Sequence, residues 1–394
     1  MSKNVPKLRF KGFEDEWKKY KADDLFINIS DKKHNGELNV LSVTQDKGVL
    51  LREELEIDIK FDVESVKNYK RVKAGDFIIS LRSFQGGFEI SNQEGLISPA
   101  YTVFNFKDSE KFNSKYFSYI FKSSRFIKKL AGLIYGVRDG KAISFTDFKT
   151  MTFFCPSLEE QEKIANFLSK VDSIIEKQEK KVEYWNSYKK GMMQKIFSQK
   201  IRFKDENGRD YPEWEEKKLG SVCSMFSGGT PASKNKMYYD GDIPFIRSAE
   251  INLCTTELKL SELGLKNSSA KMVDKGDLLY ALYGATSGEV GIARMKGAIN
   301  QAILCIKSKE IINCYLLNLL RYNKEKIIET YIQGGQGNLS AAIIKELSFN
   351  FPCLVEQNRI AKFLSNIDNI IEKENQKLEE LRKWKKGLLQ QMFV

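Results

Sequence analysis

The chain holds one histidine, His34, in 394 residues, and its six cysteines form no Cys-x-x-Cys pair. With one imidazole and scattered thiols (Cys155, Cys223, Cys254, Cys305, Cys314 and Cys353), no zinc site is expected. Reduced thiols and a cytoplasmic location are the consistent reading. No run of 18 apolar residues occurs, and the opening MSKNVPKLRFKGFEDEW lacks an apolar core. Neither a membrane span nor a secretory leader is therefore expected. Catalytic motifs are as scarce. No glycine-rich cofactor loop lies between a strand and a helix, and no Asn/Asp-Pro-Pro-aromatic run occurs. The nearest approach, SPAY at Ser98–Tyr101, lacks the second proline and reads as a buried strand. GGQG at Gly334 has no strand–helix setting. A nuclease needs clustered carboxylates with a lysine around a metal. Asp242, Glu257 and Lys259 have that order by the chance expected in a chain with 29% charged residues. His34, without a nucleophile at motif spacing, is expected to face solvent. No catalytic residue and no metal site are assigned.

What the chain does contain is a repeat. QEKIANFLSKVDSIIEKQEKKVEYWNSYKKGMMQKIF from Gln161 returns as QNRIAKFLSNIDNIIEKENQKLEELRKWKKGLLQQMF from Gln357, gap-free and identical at roughly half its positions. A spacing near 200 residues is too long for a solenoid. The repeat extends further: LRFKGFEDEW from Leu8 is echoed by IRFKDENGRDYPEW from Ile201. VKAGDFIISL from Val72 faces VDKGDLLYAL from Val273, and GLISPAYTVF from Gly95 faces GAINQAILCI from Gly297. Each Gly-Asp turn precedes an apolar run of strand length. Between these anchors the halves diverge, so a skeleton is shared and its loops are not.

This pattern predicts an α+β protein: two pseudo-repeated mixed domains rich in short strands, each followed by a long helix. The expected partition is 1–158, first domain; 159–200, first helix and linker; 201–354, second domain; 355–394, second helix. The helices keep a heptad. Ile164, Val171, Trp185 and Met192 form one seam, and Leu168, Ile175, Val182 and Ile196 form the second. The copy supplies Ile360, Ile367, Leu381 and Leu388, with Leu364, Ile371, Leu378 and Met392. Such seams specify a coiled coil, in which Gln178 and Glu374 interrupt matching positions and fix register. An antiparallel pair of 37-residue helices, each about 55 Å long, is a rigid spacer between two readers. Phe167, Ile174, Phe363 and Ile370 add a third apolar row, which invites a further protein partner. The net charge is +12, of which each helical segment carries only +2; the rest, on the globular parts, suits a polyanion.

The order variable domain, repeated helix, variable domain, repeated helix resembles the specificity subunits of type I restriction–modification systems over the whole length. The entries to the helices, PSLEEQEKIANFLSKVD from Pro156 and PCLVEQNRIAKFLSNID from Pro352, carry the resemblance, with Val355 departing where Glu159 stands in the first copy. It implies two target-recognition domains reading a bipartite, asymmetric site on double-stranded DNA. It also implies two modification (M) subunits seated on the helices and restriction (R) subunits joining that core. S-adenosylmethionine, ATP and magnesium would serve the partners, and this chain would hold no cofactor. Within the heptad faces, Ile164, Phe167, Leu168, Val171, Ile175, Trp185, Ile360, Phe363, Leu364, Ile367, Ile371 and Leu381 are the candidate coiled-coil and M-subunit contacts.

Base edges are read by forked or paired donors, and phosphates by Lys, Ser, Thr and backbone N–H groups. The first domain offers Thr44, Gln45, Arg82, Ser83, Arg138 and Lys141. The second offers Thr230, Ser233, Lys234, Arg247, Ser248, Tyr283, Thr286, Gln336 and Asn338. For each arginine a structural ion pair competes, Arg138 with Asp139 and Arg247 with Glu250. Two other functions remain open at this point: a coiled-coil scaffold, and a DNA-binding subunit of another modification complex.

Overall fold

Each Gly-Asp turn read from the sequence starts the central strand of a sheet. Gly75 and Gly276 adopt φ of +94° and +99°, a conformation that costs glycine little. The following carboxylates close the turns: Asp76 accepts the Lys73 N–H and Asp277 the Asp274 N–H, both at 2.8 Å. The computed structural model describes residues 4–44, 48–55, 63–80, 87–133, 143–332 and 338–394. Their packing forms two units: residues 1–180 with 376–394, and residues 181–375.

In the first unit the strands are β1 (Lys18–Lys21), β2 (Phe26–Ile29), β3 (Leu41–Thr44), β4 (Gly48–Leu51), β5 (Lys70–Val72), β6 (Phe77–Ile79), β7 (Phe88–Ile90), β8 (Gly95–Ile97), β9 (Thr102–Phe106) and β10 (Thr152–Cys155). Four of them form an antiparallel sheet in the order β2-β9-β6-β7. Ahead of β2 lies α1 (Ala22–Leu25), and α2 (Ser114–Lys122), α3 (Ser124–Leu133) and α4 (Phe145–Lys149) precede the long α5 (Leu158–Phe197). The core is aromatic: Phe26, Phe77, Phe88, Phe104, Phe117, Phe121 and Phe148 are fully buried.

The second unit repeats the plan with β11 (Glu215–Lys218), β12 (Cys223–Ser227), β13 (Ile243–Ile246), β14 (Lys259–Leu260), β15 (Lys271–Val273), β16 (Leu278–Ala281), β17 (Val290–Ile292), β18 (Gly297–Ile299), β19 (Ile303–Ser308) and β20 (Ser348–Phe351). Its main sheet runs β12-β19-β16-β17, the same order at equivalent places. The helices are α6 (Leu219–Val222), α7 (Glu262–Lys266), α8 (Asn313–Tyr322), α9 (Lys324–Tyr331), α10 (Ala341–Glu346) and the long α11 (Leu354–Gln391). Here the core is aliphatic: Leu278, Leu304, Ile306, Leu316 and Leu320 are buried where the first unit stacks rings. One skeleton thus tolerates two fillings, as volume-conserving repacking allows.

The long helices pair antiparallel. In the first unit Asp172 meets Lys385 at 2.5 Å and Glu179 meets Arg382 at 2.7 Å. In the second, Lys181 meets Glu374 and Lys189 meets Asp368, each at 2.6 Å. The heptad seams are the buried faces: Ile164, Leu168, Val171, Ile360, Leu364 and Ile367 are at most 3% exposed. These surface ion pairs add little energy, so the apolar seam holds the pair together and the charges set its direction.

Three expectations change on contact with the structure. SPAY is not a buried strand: β8 ends at Ile97, and Ser98–Tyr101 turn in the open, closed by a Tyr101 N–H bond to Ser98. His34 is half-buried, with Nε2 2.9 Å from the Tyr69 carbonyl and Nδ1 enclosed. The third apolar row is partly covered by the chain itself. Phe167 packs edge-on against Phe10 at 5.5 Å, and Phe363 packs against Phe203 at 5.6 Å, while Ile174 stays 46% exposed.

Candidate nucleic-acid interface

Each helix is fastened to its domain by the residues that carry the repeated entry motif. Glu160, 1% exposed, takes a two-pronged contact from Arg9, Nε and Nη2 both at 2.8 Å. Glu356, fully buried, takes Arg202 Nη2 at 2.9 Å, Arg202 Nε at 3.3 Å and the Trp214 Nε1–H at 3.1 Å. The next residue does a second job. Gln161 accepts the Asn113 N–H and donates to the Pro156 carbonyl, each at 3.0 Å. Gln357 accepts the Ile312 N–H at 3.1 Å and donates to the Pro352 carbonyl at 2.9 Å. Both glutamines are buried, so each amide answers two backbone groups that would otherwise be orphaned. The helix is thereby a rigid mount for the domain it follows.

In the second unit the mount presents a set of loops on one edge of the sheets. β13 and β18 run parallel, with Ile246 beside Ile299, so Arg247 and Asn300 leave at the same end. The Gly228 N–H bonds the Asn300 carbonyl at 3.2 Å, which brings in the loop bearing Thr230. Leu282 donates to Ala302 at 2.8 Å, and Leu339 donates to Leu282 at 3.1 Å, which brings in Tyr283 and Asn338. Thr230, Arg247, Ser248, Tyr283 and Asn338 are thus drawn together from four separate places in the chain. Gly228 allows the closest step: a Cβ there would stand 1.8 Å from the Ile299 carbonyl oxygen. Thr230, Ser233, Lys234 and Asn338 are exposed, and Ser248 and Tyr283 are half-buried.

One candidate of the second unit is held in a structural ion pair, and another is enclosed. Arg247 lies between two glutamates, with Nη2 3.0 Å from Glu250 and also bonded to Glu257, and Nε 3.2 Å from Glu250. Hydrogen bonds to Glu250 and then Glu257 push its guanidinium further above its ordinary value. This is the structural ion pair that competes with base reading. The Thr286 hydroxyl is enclosed and meets no partner among the described residues. Asp242 faces Lys259 at 3.6 Å while Glu257 belongs to Arg247, so the three residues of nuclease-like spacing form no ligand set. Among the described residues no three acidic, thiol or imidazole groups converge as metal ligands.

In the first unit Thr44 ends β3, and its hydroxyl donates to the Gly48 carbonyl at 3.0 Å. Gln45, Arg82, Ser83, Arg138, Lys141 and Gln336 lie outside the described residues. On the helices, most of the candidate partner contacts face inward. Ile164, Leu168, Val171, Ile175, Ile360, Leu364 and Ile367 are no more than 9% exposed, whereas Phe167, Trp185, Phe363, Ile371 and Leu381 are half-buried. The large apolar side chains that remain open include Ile174 and Trp384 in the first unit and Tyr184 and Tyr188 in the second. Tyr184 and Tyr188 stack at 6.2 Å. A heptad shows which residues are apolar, not which of two apolar rows the partner helix takes.

Residues 14–184 and 211–383 match the sequence pattern of the type I restriction modification DNA specificity domain. The putative specificity subunit of the type I restriction enzyme MjaX of Methanocaldococcus jannaschii is 31% identical over 260 residues, 63% of this chain and 60% of that one. The MjaVIII specificity subunit of the same organism is 28% identical over 261 residues, 61% of each chain. The chain thus spans about 60% of the length of the curated relatives it matches. A solved S subunit of a type I restriction–modification system from M. genitalium shares the fold, with a TM-score of 0.59 at 17% identity over 99% of each chain. A chain from a structure of type I R-M complex assembly and conformational transition gives 0.59 at 16% identity, covering 96% of this chain and 97% of that one.

Proposed function

The chain belongs to the family of type I restriction modification DNA specificity domains, and from that premise we propose that it is the sequence-reading subunit of a type I restriction–modification complex. It reads a bipartite, asymmetric site on double-stranded DNA, one half with each domain, 1–158 and 201–354. The observation that carries this reading is the contrast within the repeat. The two main sheets keep one strand order and the two helix mounts keep one set of contacts. The loops at the reading edge differ in sequence. A frame held constant beneath unlike loops is what two different half-sites require.

Within the second domain, Ser233, Lys234, Ser248, Tyr283 and Asn338 supply contacts to bases and phosphates, while Thr230 and Arg247 shape the loops that carry them. M subunits sit on the helix faces that the chain leaves open, at Ile174 and at Tyr184 with Tyr188, rather than on the buried seams. R subunits join that core. The chain itself is non-catalytic; S-adenosylmethionine, ATP and magnesium belong to the partner subunits. Two assays test the reading. The chain with its M subunits shifts a target duplex in a salt-dependent manner, and the methylome of a host carrying it shows one bipartite motif. Purified alone, the chain transfers no labelled methyl group and cuts no DNA. Methyl transfer by the chain alone, free of M subunit, would overturn the non-catalytic assignment.

A further inference from the structure

The reading edge of the second domain holds one side chain that no sequence motif singles out. Gln301 sits at the tip of the turn between β18 and β19, exposed. The Thr230 hydroxyl donates to its Oε1 at 2.6 Å. Among the described residues, its amide nitrogen meets no acceptor. Resting on the specificity reading above, we propose that Gln301 reads an adenine in the half-site of the second domain, with Thr230 as its positioning residue.

The chemistry follows from the amide edge. A glutamine can accept from adenine N6–H with Oε1 while donating to N7 with Nε2. Guanine presents O6 in place of N6–H, so it sets an acceptor against Oε1. Discrimination therefore depends on which end of the amide points where, and a freely rotating amide can reverse its ends. Thr230 favours one orientation by donating to Oε1, whose second lone pair remains for the base. Both partners stand on fixed backbone. Asn300 Oδ1 accepts the Ala302 N–H at 3.1 Å, and Leu282 N–H bonds the Ala302 carbonyl at 2.8 Å, which together lock the turn. On the other side, Gly228 packs against Ile299, and the Tyr239 hydroxyl donates to the Pro231 carbonyl at 2.7 Å. A reading group held on both flanks in this way loses little freedom on contact. The equivalent turn of the first domain carries Pro99 and Ala100, which offer no side-chain donor.

The test is selection from randomised duplexes by the full chain assembled with its M subunits. The wild-type complex enriches adenine at one position of one half-site. Gln301→Ala relaxes that position by about 5- to 150-fold, the range of one bidentate base contact, and leaves the other half-site strict. Thr230→Val relaxes the same position, and Thr230→Ser, which keeps the hydroxyl, restores it. Gln301→Glu, which accepts but cannot donate, moves the preference from adenine toward cytosine. Uniform weakening on every sequence by Gln301→Ala marks a phosphate contact and overturns the proposal. So does an unchanged profile, or Thr230→Ser behaving like Thr230→Val. A wild-type complex that enriches no sequence at all removes the specificity reading, and this assignment falls with it.

Discussion

Arg202→Met is the sharpest perturbation of the helix mount. It removes the guanidinium from Glu356, which is fully buried and, among the described residues, keeps only the Trp214 N–H. Breaking a buried pair by deleting one partner costs about 3–5 kcal/mol, because the remaining charge is stranded. Arg202 Nη2 also serves the Tyr211 and Pro212 carbonyls at 3.2 and 2.6 Å, so methionine, which replaces only the aliphatic stem, offers nothing in return. In a unit spanning residues 181–375, 1 kcal/mol corresponds to about 2–4 °C in melting temperature. The expected loss is therefore about 6–20 °C. A second substitution separates charge stranding from simple loss of packing. In Arg202→Met/Glu356→Gln the buried group is neutral and still accepts from Trp214, so at least half of the loss should return. Denaturant unfolding gives the energies, and amide hydrogen exchange gives the place: α8 and β20 lose protection while α2 and β10 keep theirs. A single-variant cost below about 1 kcal/mol, or a double variant as weak as the sum of its parts, refutes the stranded-charge account.

Other consequences are direct. Gly228→Ala forces a Cβ to within 1.8 Å of the Ile299 carbonyl oxygen, and should destabilise the second unit by about 1–3 kcal/mol in denaturant titration. Arg247→Ala leaves Glu250, which is 7% exposed, without its guanidinium. It should lower stability by about 1–3 kcal/mol, while base preference measured by duplex selection changes little. Burial pushes the Cys305 thiol up to about 12, so at pH 8 its thiolate is about 10⁴-fold rarer than its thiol. Under native conditions a disulfide reagent should modify exposed Cys254 and Cys314 and spare Cys305 and Cys155 until the chain unfolds. Peptide mapping of the labelled protein checks this.

The helices were legible because their signal is local and periodic. Ile164, Leu168 and Val171 recur at heptad spacing and are buried as that spacing requires. The central strands were legible for a similar reason: a Gly-Asp turn followed by an uninterrupted apolar run leads into β6 and β16. The mount was not legible. Arg9 and Glu160 stand 151 positions apart, and each alone looks like one more surface charge. Ser98–Tyr101 misled because the apolar run of β8 continues into it, and Pro99 ends the ladder there by withholding its N–H. Gln301 carried no signal, since its significance comes from Thr230, 71 positions earlier. The partial cover of the third apolar row was not legible, because Phe10 and Phe203, which pack on Phe167 and Phe363, come from distant segments.

The far ends of the long helices bear on the age of the two copies' sequences. Phe197, near the end of α5, packs against Tyr315 of the second unit at 5.8 Å, and Phe393, just past α11, packs against Tyr116 of the first at 5.5 Å. Each helix thus begins on one host, at Glu160 or Glu356, and finishes in the core of the other. Each helix is therefore constrained along its whole length, one part by one host and the rest by the other. Loop residues answer to neither host's core. Drift after duplication should then be slow in the helices and fast at the loops, which is the pattern the two copies display. The arrangement lets the chain acquire new vocabulary while its grammar stays fixed.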